Sequence, residues 1–230
     1  MNLAIIPARI GSKRIPKKNI KNFFGKPMIF YSIKQAKLSK IFDKIVVSSD
    51  SNKIAKISQK MGAEIPFIRP KKLSNDYIST SEVVKHTIRF YQKQNIHFRY
   101  VCCIYPVAPF LLKKDIIEGF NKIKTGKWSY VFSATKNYYP YYRSFLKNNS
   151  GNIQMIFPNN YNKRSQDLKT TYHDAGQFYW SKSKTWLKQK KVFNSSSTII
   201  EIPRNRSIDI DTKEDWQFAS NMMKIKKNEI

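Results

Sequence analysis

Apolar and polar positions along this chain switch repeatedly between a period of two and a period near 3.6. Residues 3–6 form a short apolar run and read as a strand, while 27–37 carry Ile29, Phe30, Ile33 and Ala36 at helical spacing. Lys44–Ser48, with the β-branched centre Ile45-Val46-Val47, returns to strand. Asp50-Ser51-Asn52 offers cap residues for a helix running to Met61, and Gly62 stands where that helix stops. Residues 63–67 are short and extended. Residues 79–94 are helical, with Val83, Val84, Thr87, Ile88 and Tyr91 inward. Tyr100–Ile104 is a fully apolar strand, Lys113–Lys124 a helix with Ile116, Ile117, Phe120 and Ile123 inward, and 130–134 a strand. Further on, 175–180 and 198–202 read as strands and 212–226 as a closing helix.

This order of elements predicts β-α-β units, hence an α/β fold in three layers (α/β/α) around a mostly parallel sheet. Ligands of such folds sit beyond the carboxyl ends of the strands. Three loops fall there: the one after 3–6, Ser49-Asp50 after the second strand, and Pro106-Val107-Ala108-Pro109 after Tyr100–Ile104. The pattern breaks over 138–171, which is rich in Tyr, Asn and Lys. Phe145-Leu146 and residues 153–157 flank Gly151 there, which predicts a hairpin-like insertion whose exposed aromatics are either a partner surface or part of a loosely packed flap. No internal repeat is apparent, and 230 residues fit a single domain, 1–230, carrying that insertion.

Composition adds a core and removes some function classes. Hydrophobic content of 41% and aromatic content of 14% are enough for a packed interior, which argues against global disorder. The two cysteines, Cys102 and Cys103, are adjacent in an apolar strand, so their side chains point to opposite faces. They read as small core residues without metal-ligand spacing. Too few apolar residues precede Arg9 for a signal-peptide core, and no run approaches the ~20 apolar residues of a membrane helix. The expectation is a soluble, cytoplasmic protein. The formal net charge of +28 raises nucleic-acid binding as an alternative. The cations are spread along the chain, however, and stretches such as 53–60 and 182–191 read as solvated helical faces. Asn and Ile are abundant too, as general lysine enrichment would produce. Steering of an anionic small substrate is a further consequence of the charge.

Candidate chemistry gathers at the two ends of the chain. In Pro7-Ala8-Arg9-Ile10-Gly11-Ser12-Lys13-Arg14-Ile15-Pro16-Lys17-Lys18-Asn19 a buried strand feeds a small cationic loop. Turn N–H groups and cations of this kind suit phosphate oxygens. The loop matches neither the dinucleotide nor the Walker glycine template. Near the other end, Ile208-Asp209-Ile210-Asp211 would set two carboxylates on one side of an extended segment with the isoleucines toward the core. Paired oxygen donors suit Mg²⁺. Thr212 and Asp215 form a capping pattern for the helix that follows, which is also the competing explanation for these acids. Tyr172-His173-Asp174-Ala175-Gly176-Gln177 has the amide and aromatic groups of a pocket for a polyhydroxylated ligand, although adjacent residues such as His173 and Asp174 rarely face each other. Arg69 and Thr80 follow strand-like segments, and an arginine suits bidentate anion binding.

Taken in order, these motifs resemble the acylneuraminate cytidylyltransferase family. The likeness rests on Ile6-Pro7-Ala8-Arg9, residues 11–20, Gly25-Lys26-Pro27-Met28-Ile29, Ser48-Ser49-Asp50, Phe67-Ile68-Arg69-Pro70, Ala108-Pro109-Phe110, Arg164-Ser165-Gln166-Asp167-Leu168, residues 172–180 and Asp209-Ile210-Asp211. It runs to about Met223, and residues 164–180 point to the pseudaminate-using branch. The resemblance implies a nucleotide-diphospho-sugar transferase-like fold. It implies a reaction of CTP with a nine-carbon α-keto acid sugar (a nonulosonate) to give a CMP-sugar and pyrophosphate, for surface glycan assembly. Pseudaminic acid is the expected sugar, with N-acetylneuraminate or legionaminate as the alternative. The resemblance places Arg9, Gly11, Ser12, Lys18 and Asn19 on the nucleotide, and Arg69 and Thr80 at the nucleotide–sugar junction. Lys18, Arg69 and Asp209 are the implied catalytic residues, and Asp209 and Asp211 the Mg²⁺ ligands. It further implies a homodimer built by the insertion, with Arg164 reaching the sugar carboxylate across it. Tyr105, Tyr172, His173, Asp174 and Gln177 lie near the sugar. Two positions depart from the family pattern: Ile10 replaces a glycine of the phosphate loop, and Tyr105 replaces the glutamine of the sialate branch.

Overall fold

A computed structural model describes residues 1–188 and 191–228. In chain order the strands and helices are β1 (Asn2–Pro7), β2 (Asn22–Phe23), β3 (Lys26–Pro27), α1 (Ile29–Ser39), β4 (Lys44–Ser48), α2 (Asn52–Lys60), α3 (Thr80–Gln92) and β5 (Tyr100–Ile104). There follow α4 (Lys113–Lys124), β6 (Tyr130–Lys136), β7 (Phe145–Lys147), β8 (Ile153–Met155), β9 (Tyr172–Lys182), α5 (Ser183–Leu187), β10 (Ser197–Glu201) and α6 (Lys213–Asn228). The segment expected to be extended at 63–67 makes only isolated bridges, Val46 to Glu64 and Ser49 to Ile68. The helical face expected over 182–191 shortens to α5, and its residues 189 and 190 lie outside the described residues.

Six strands form the central sheet in the order β10-β6-β9-β5-β1-β4. β1 runs parallel to β4 and β5, and β10 runs parallel to β6. β9 is antiparallel to both of its neighbours, β5 and β6. The connection dictates this reversal. β6 ends at the carboxyl edge of the sheet, residues 138–171 make their excursion there, and the chain re-enters with Tyr172 opposite Lys136. A strand that re-enters at that edge has only the downward direction open to it.

The sheet is covered on both faces, and successive strand residues serve opposite sides. Ala4, Ile6, Cys102 and Ile104 pack with residues of α1, α2 and α4. Leu3, Ile5, Val101 and Cys103 pack with residues of α3 and α5. The two cysteines are thus fully buried, reduced, and on opposite faces, as their adjacency in a strand requires. A third apolar cluster joins the two ends of the chain: Ile15, Phe23 and Met28 meet Ile210, Ala219 and Met223. The excursion carries the expected hairpin, β7 against β8, with Gly151 at φ +88° in its turn. No helix among the described residues is long and apolar enough to cross a membrane.

Candidate active site

The loops after β1 and β5 and the segment leading into α3 enclose a cleft of about 570 Å³ whose opposite wall comes from residues just before α6. Arg9, Ser12, Lys18 and Asn19 line it from the first loop, and Arg69, Thr80 and Tyr105 from the middle of the chain. Asp209 and Asp211 line it from the C-terminal side.

Core residues alternate with site residues on both sides of this cleft, which is how two loops hold charged groups in place. Ile15 is buried in the cluster that also takes Ile210, between Asp209 and Asp211. Lys17 adopts a left-handed backbone (φ 52°), a conformation that strains any side-chain-bearing residue, and turns the chain into a short 3₁₀ segment, Lys18–Ile20. That turn aims Lys18 across the cleft. Its Nζ donates to the Ile210 carbonyl at 2.6 Å and to Asp211 Oδ1 at 3.0 Å. Arg14 meets the other oxygen of Asp211 at 2.8 Å. Asn19, also buried, donates from Nδ2 to the Arg9 carbonyl at 2.7 Å and so braces the loop from inside.

The side chain of Ile10 packs against the core under β1, so this departure from glycine leaves the cleft open. Its N–H is held by Asp50 Oδ1 at 3.0 Å. Gly11 does not line the cleft, and a Cβ there would meet nothing within 4 Å.

Arg9 and Lys13 converge on one carboxylate, Asp76, at 2.5 and 2.6 Å. Hydrogen bonds from Lys13 and Arg9 hold Asp76 below the usual carboxylate range. Asp76 escaped the sequence reading. The only available signal is that it is the lone acid between Arg69 and Ser81 in a chain short of acids. Arg69 is buried, donates from Nε to Ser74 Oγ at 3.1 Å, and has its pKa lowered by desolvation.

Asp209 differs from its neighbour. Its side chain is exposed to the cleft and makes no ion pair or hydrogen bond among the described residues. Its pKa is raised, first by the desolvating walls and then by the charge of Asp211. Thr212 and Asp215 cap α6 reciprocally: Asp215 accepts from the N–H of Thr212 at 2.7 Å and donates its own N–H to Thr212 Oγ1 at 3.1 Å. Capping therefore accounts for Thr212 and Asp215, the pairs with Lys18 and Arg14 engage Asp211, and the side chain of Asp209 is left without a partner among the described residues. Two hard oxygen donors beside a cationic loop have the chemistry that Mg²⁺ takes from proteins.

The remaining candidates are not gathered into this cleft. Gln177 is buried and donates to the Arg206 carbonyl at 2.5 Å. Asp174 turns to the Gly176 N–H and to the Tyr179 hydroxyl. His173 Nδ1 contacts Asn137 Oδ1 at 2.7 Å beside a second depression lined by Tyr138, Tyr139 and Arg204. Tyr172 and Arg164 are exposed, and Arg164 pairs with Asp167 at 3.0 Å within the excursion. Tyr179 was missed by the sequence reading because it sits in an apolar aromatic run.

The arrangement presents a multiply charged anion with cations on one wall and paired carboxylates on the other. A sequence model of cytidylyltransferases matches residues 3–229. A pseudaminic acid cytidylyltransferase from Campylobacter jejuni is 46% identical over 97% of each chain. A CMP-N,N'-diacetyllegionaminic acid synthase from Legionella pneumophila is 30% identical over 97% of this chain and 96% of its own. Among solved structures, a CMP:2-keto-3-deoxy-manno-octonic acid synthetase complexed with CTP superposes with a TM-score of 0.72 at 14% identity, covering 98% of this chain and 99% of its own. That likeness is one of fold.

Proposed function

The chain belongs to the cytidylyltransferase family, and from that footing we propose that it activates pseudaminic acid with CTP, giving CMP-pseudaminic acid and pyrophosphate. The observation that carries the reading is the meeting of Lys18 with Asp211 at 3.0 Å, which brings the cationic loop and the carboxylate pair to one cleft. The 46% identity to the Campylobacter jejuni relative supports pseudaminic acid above the legionaminate and neuraminate alternatives. A CTP-consuming enzyme of this kind works in the cytoplasm.

In the proposed reaction the anomeric hydroxyl oxygen of the sugar attacks the α-phosphorus. A new P–O bond forms, the bond to the β-phosphate oxygen breaks, and pyrophosphate leaves with that electron pair. The proton of the attacking hydroxyl passes to a carboxylate, and Asp209 is the proposed acceptor through the oxygen it does not give to the cation. Arg9 and Lys18 neutralise charge on the triphosphate as it builds on the leaving group. On binding CTP, Arg9 and Lys13 exchange the Asp76 carboxylate for phosphate oxygens. Arg69, buried at the junction, faces the α-phosphate with a fixed guanidinium. Asp209 and Asp211 would hold Mg²⁺, which supplies Lewis-acid polarisation and charge neutralisation at the phosphates when bound. The carboxylate pair fits such a cation, because a divalent charge offsets the desolvation that chiefly raises the pKa of Asp209 and the repulsion from Asp211 that adds to it.

The excursion over 138–171 supports a homodimer in which Arg164 reaches the sugar carboxylate of the partner site. The test of substrate is pyrophosphate release from CTP and Mg²⁺ with purified pseudaminic acid, N-acetylneuraminate and legionaminate in parallel. The expected result is turnover with pseudaminic acid at a kcat/KM at least tenfold above the others. Preference for either of the other two sugars overturns the assignment.

A further inference from the structure

Residues 70–79, between Arg69 and α3, form a strap along one side of the cleft, and it is tied down at both ends. At its start the Arg69 N–H donates to the Ser49 carbonyl at 2.7 Å, and the buried Arg69 side chain donates from Nε to Ser74 Oγ at 3.1 Å. Ser74 gives its own hydroxyl proton to the Pro70 carbonyl at 3.1 Å. At its end Ser79 caps α3, its Oγ accepting the Glu82 N–H at 3.3 Å. Between these anchors Asn75 Oδ1 accepts the N–H groups of Tyr77 and Ile78 at 2.9 and 3.2 Å, which closes an Asx turn around Asp76. Tyr77 is almost fully exposed, whereas Asp76 lines the cleft and takes one cation on each oxygen: Arg9 Nη1 on Oδ1 at 2.5 Å and Lys13 Nζ on Oδ2 at 2.6 Å.

An anionic group that offers two oxygens to two loop cations presents them with the same chemistry as a phosphate. The contact is also one that a ligand can displace. The side chains of Arg9, Lys13 and Asp76 are 36%, 81% and 37% exposed, and ion pairs this open to water are weak. A pyrophosphate group brings more charge and more acceptor oxygens than one carboxylate. The position indicates which phosphates are meant. Arg69 is buried at the inner end of the strap, while Lys13 and Asp76 stand at the rim, open to the solvent into which a leaving group must pass. We propose that Asp76 stands in for the pyrophosphate part of the nucleotide in the empty cleft, and that its competition for Arg9 and Lys13 weakens the hold on pyrophosphate so that this product departs. Asp76 is thus a positioning residue that acts through the two cations. It holds them over the cleft before CTP arrives and takes them back as pyrophosphate leaves. The inference rests on the reading that CTP fills this cleft.

Asp76→Asn tests it by removing the competing charge while keeping the shape. Isothermal titration calorimetry, without Mg²⁺ or sugar, measures the binding of inorganic pyrophosphate, CTP and CMP. The chains compared are wild type, Asp76→Asn, Asp76→Glu, Lys13→Gln and the double variant Asp76→Asn with Lys13→Gln. Asp76→Asn is expected to bind pyrophosphate and CTP about three- to tenfold more tightly, the range that freeing two exposed ion pairs allows, with CMP within about twofold. Asp76→Glu, which keeps the carboxylate, stays near wild type. In the Lys13→Gln background one of the two cations is gone, so the gain from Asp76→Asn shrinks to about half or less on a logarithmic scale. Pyrophosphate binding unchanged or weakened by Asp76→Asn, or CMP tightened as much as pyrophosphate, overturns the inference. A gain of undiminished size in the Lys13→Gln background also overturns it, because it marks plain repulsion at a distance. In each of these cases wild type still binds CTP and the proposed function stands. A wild type that binds neither CTP nor pyrophosphate overturns both.

Discussion

Asp209 stands in the cleft with no direct counter-charge, and that makes it the cleanest probe of the carboxylate pair. Asp211 is tied to Lys18 and Arg14, so its removal also loosens the phosphate loop. Asp209→Asn removes one oxygen charge and breaks no contact. Turnover is expected to fall on the order of 10²–10³-fold, the cost of deleting one preorganised electrostatic group. The melting temperature should hold or rise, because a raised carboxylate pKa marks a group the fold disfavours in its charged form. Near-normal turnover in this variant returns Asp209 to a structural role. A second residue-scale prediction concerns His86. Its Nδ1 is buried without a hydrogen-bond partner among the described residues, and its ring meets Phe67 edge-on. Desolvation lowers its pKa from 6.5, and the charges of Arg69, Lys72 and Lys93 lower it further. Between that lowered value and 6.5 the unfolded chain binds the proton better, so stability falls as pH drops through this window and is whole above it. Urea midpoints for wild type should decline from pH 7.5 to pH 5, and His86→Phe should flatten that part of the curve. An equal slope in the variant rules His86 out as the source.

Among the elements, α4 carries the contact that steadies the C-terminal wall of the cleft. Asp115 in its first turn accepts from the Leu112 N–H and forms a two-pronged pair with Arg206, at 2.5 and 3.0 Å. Both side chains are nearly buried, and the Arg206 carbonyl receives Gln177. Arg206 lies three residues before Asp209, so this pair fixes the entry to the carboxylate segment. Breaking one partner of a buried pair leaves the other charge stranded, which costs about 3–5 kcal/mol. Asp115→Ala should lose that much in chemical denaturation and also weaken turnover, while a loss below about 1 kcal/mol shows the pair to be screened. Nothing in the sequence announces a partnership across ninety residues. What was readable follows the local rules: β5 and α4 were read at both boundaries because an unbroken apolar run and a 3.6 periodicity leave little choice. The reversal of β9 was not readable, since it follows from where the insertion leaves and re-enters the sheet. The Tyr179–Asp174 contact was hidden for a related reason, because a bulge overrides the period of two on which strand faces are assigned. The cationic loop and the Asp209–Asp211 pair were visible as separate motifs. Their convergence depends on Ile15 and Ile210 sharing one apolar cluster, a tertiary fact.

Exposed apolar side chains concentrate, among the described residues, in the excursion over 138–171. Tyr138, Tyr139, Phe145, Leu146, Ile153 and Tyr161 are each more than half exposed, and all belong to the excursion at the carboxyl edge of the sheet. Scattered exposed apolar side chains are ordinary, but six within one excursion of the chain are what the proposed homodimer would use as its association surface. The proposed homodimer covers it and places Arg164, free of its own chain's cleft, within reach of a partner's. Association must overcome repulsion between two chains of net charge +28. The Debye length falls from about 30 Å at 0.01 M to about 8 Å at 0.15 M ionic strength, so salt weakens that repulsion while the apolar contact persists. Two outcomes are expected from light scattering at micromolar concentration. Wild type has twice the 27.1 kDa chain mass, and its dimer tightens from 0.01 to 0.15 M salt. Leu146→Glu with Ile153→Glu restores the single-chain mass with the melting temperature within about two degrees, because these side chains are 62% and 66% exposed and belong to none of the buried clusters among the described residues. If Arg164 serves the partner site, the same double variant loses turnover in step with its loss of dimer, and mixing it with wild type does not restore it. A wild type that is monomeric at every salt concentration, or a monomeric variant with full activity, excludes catalysis across a dimer.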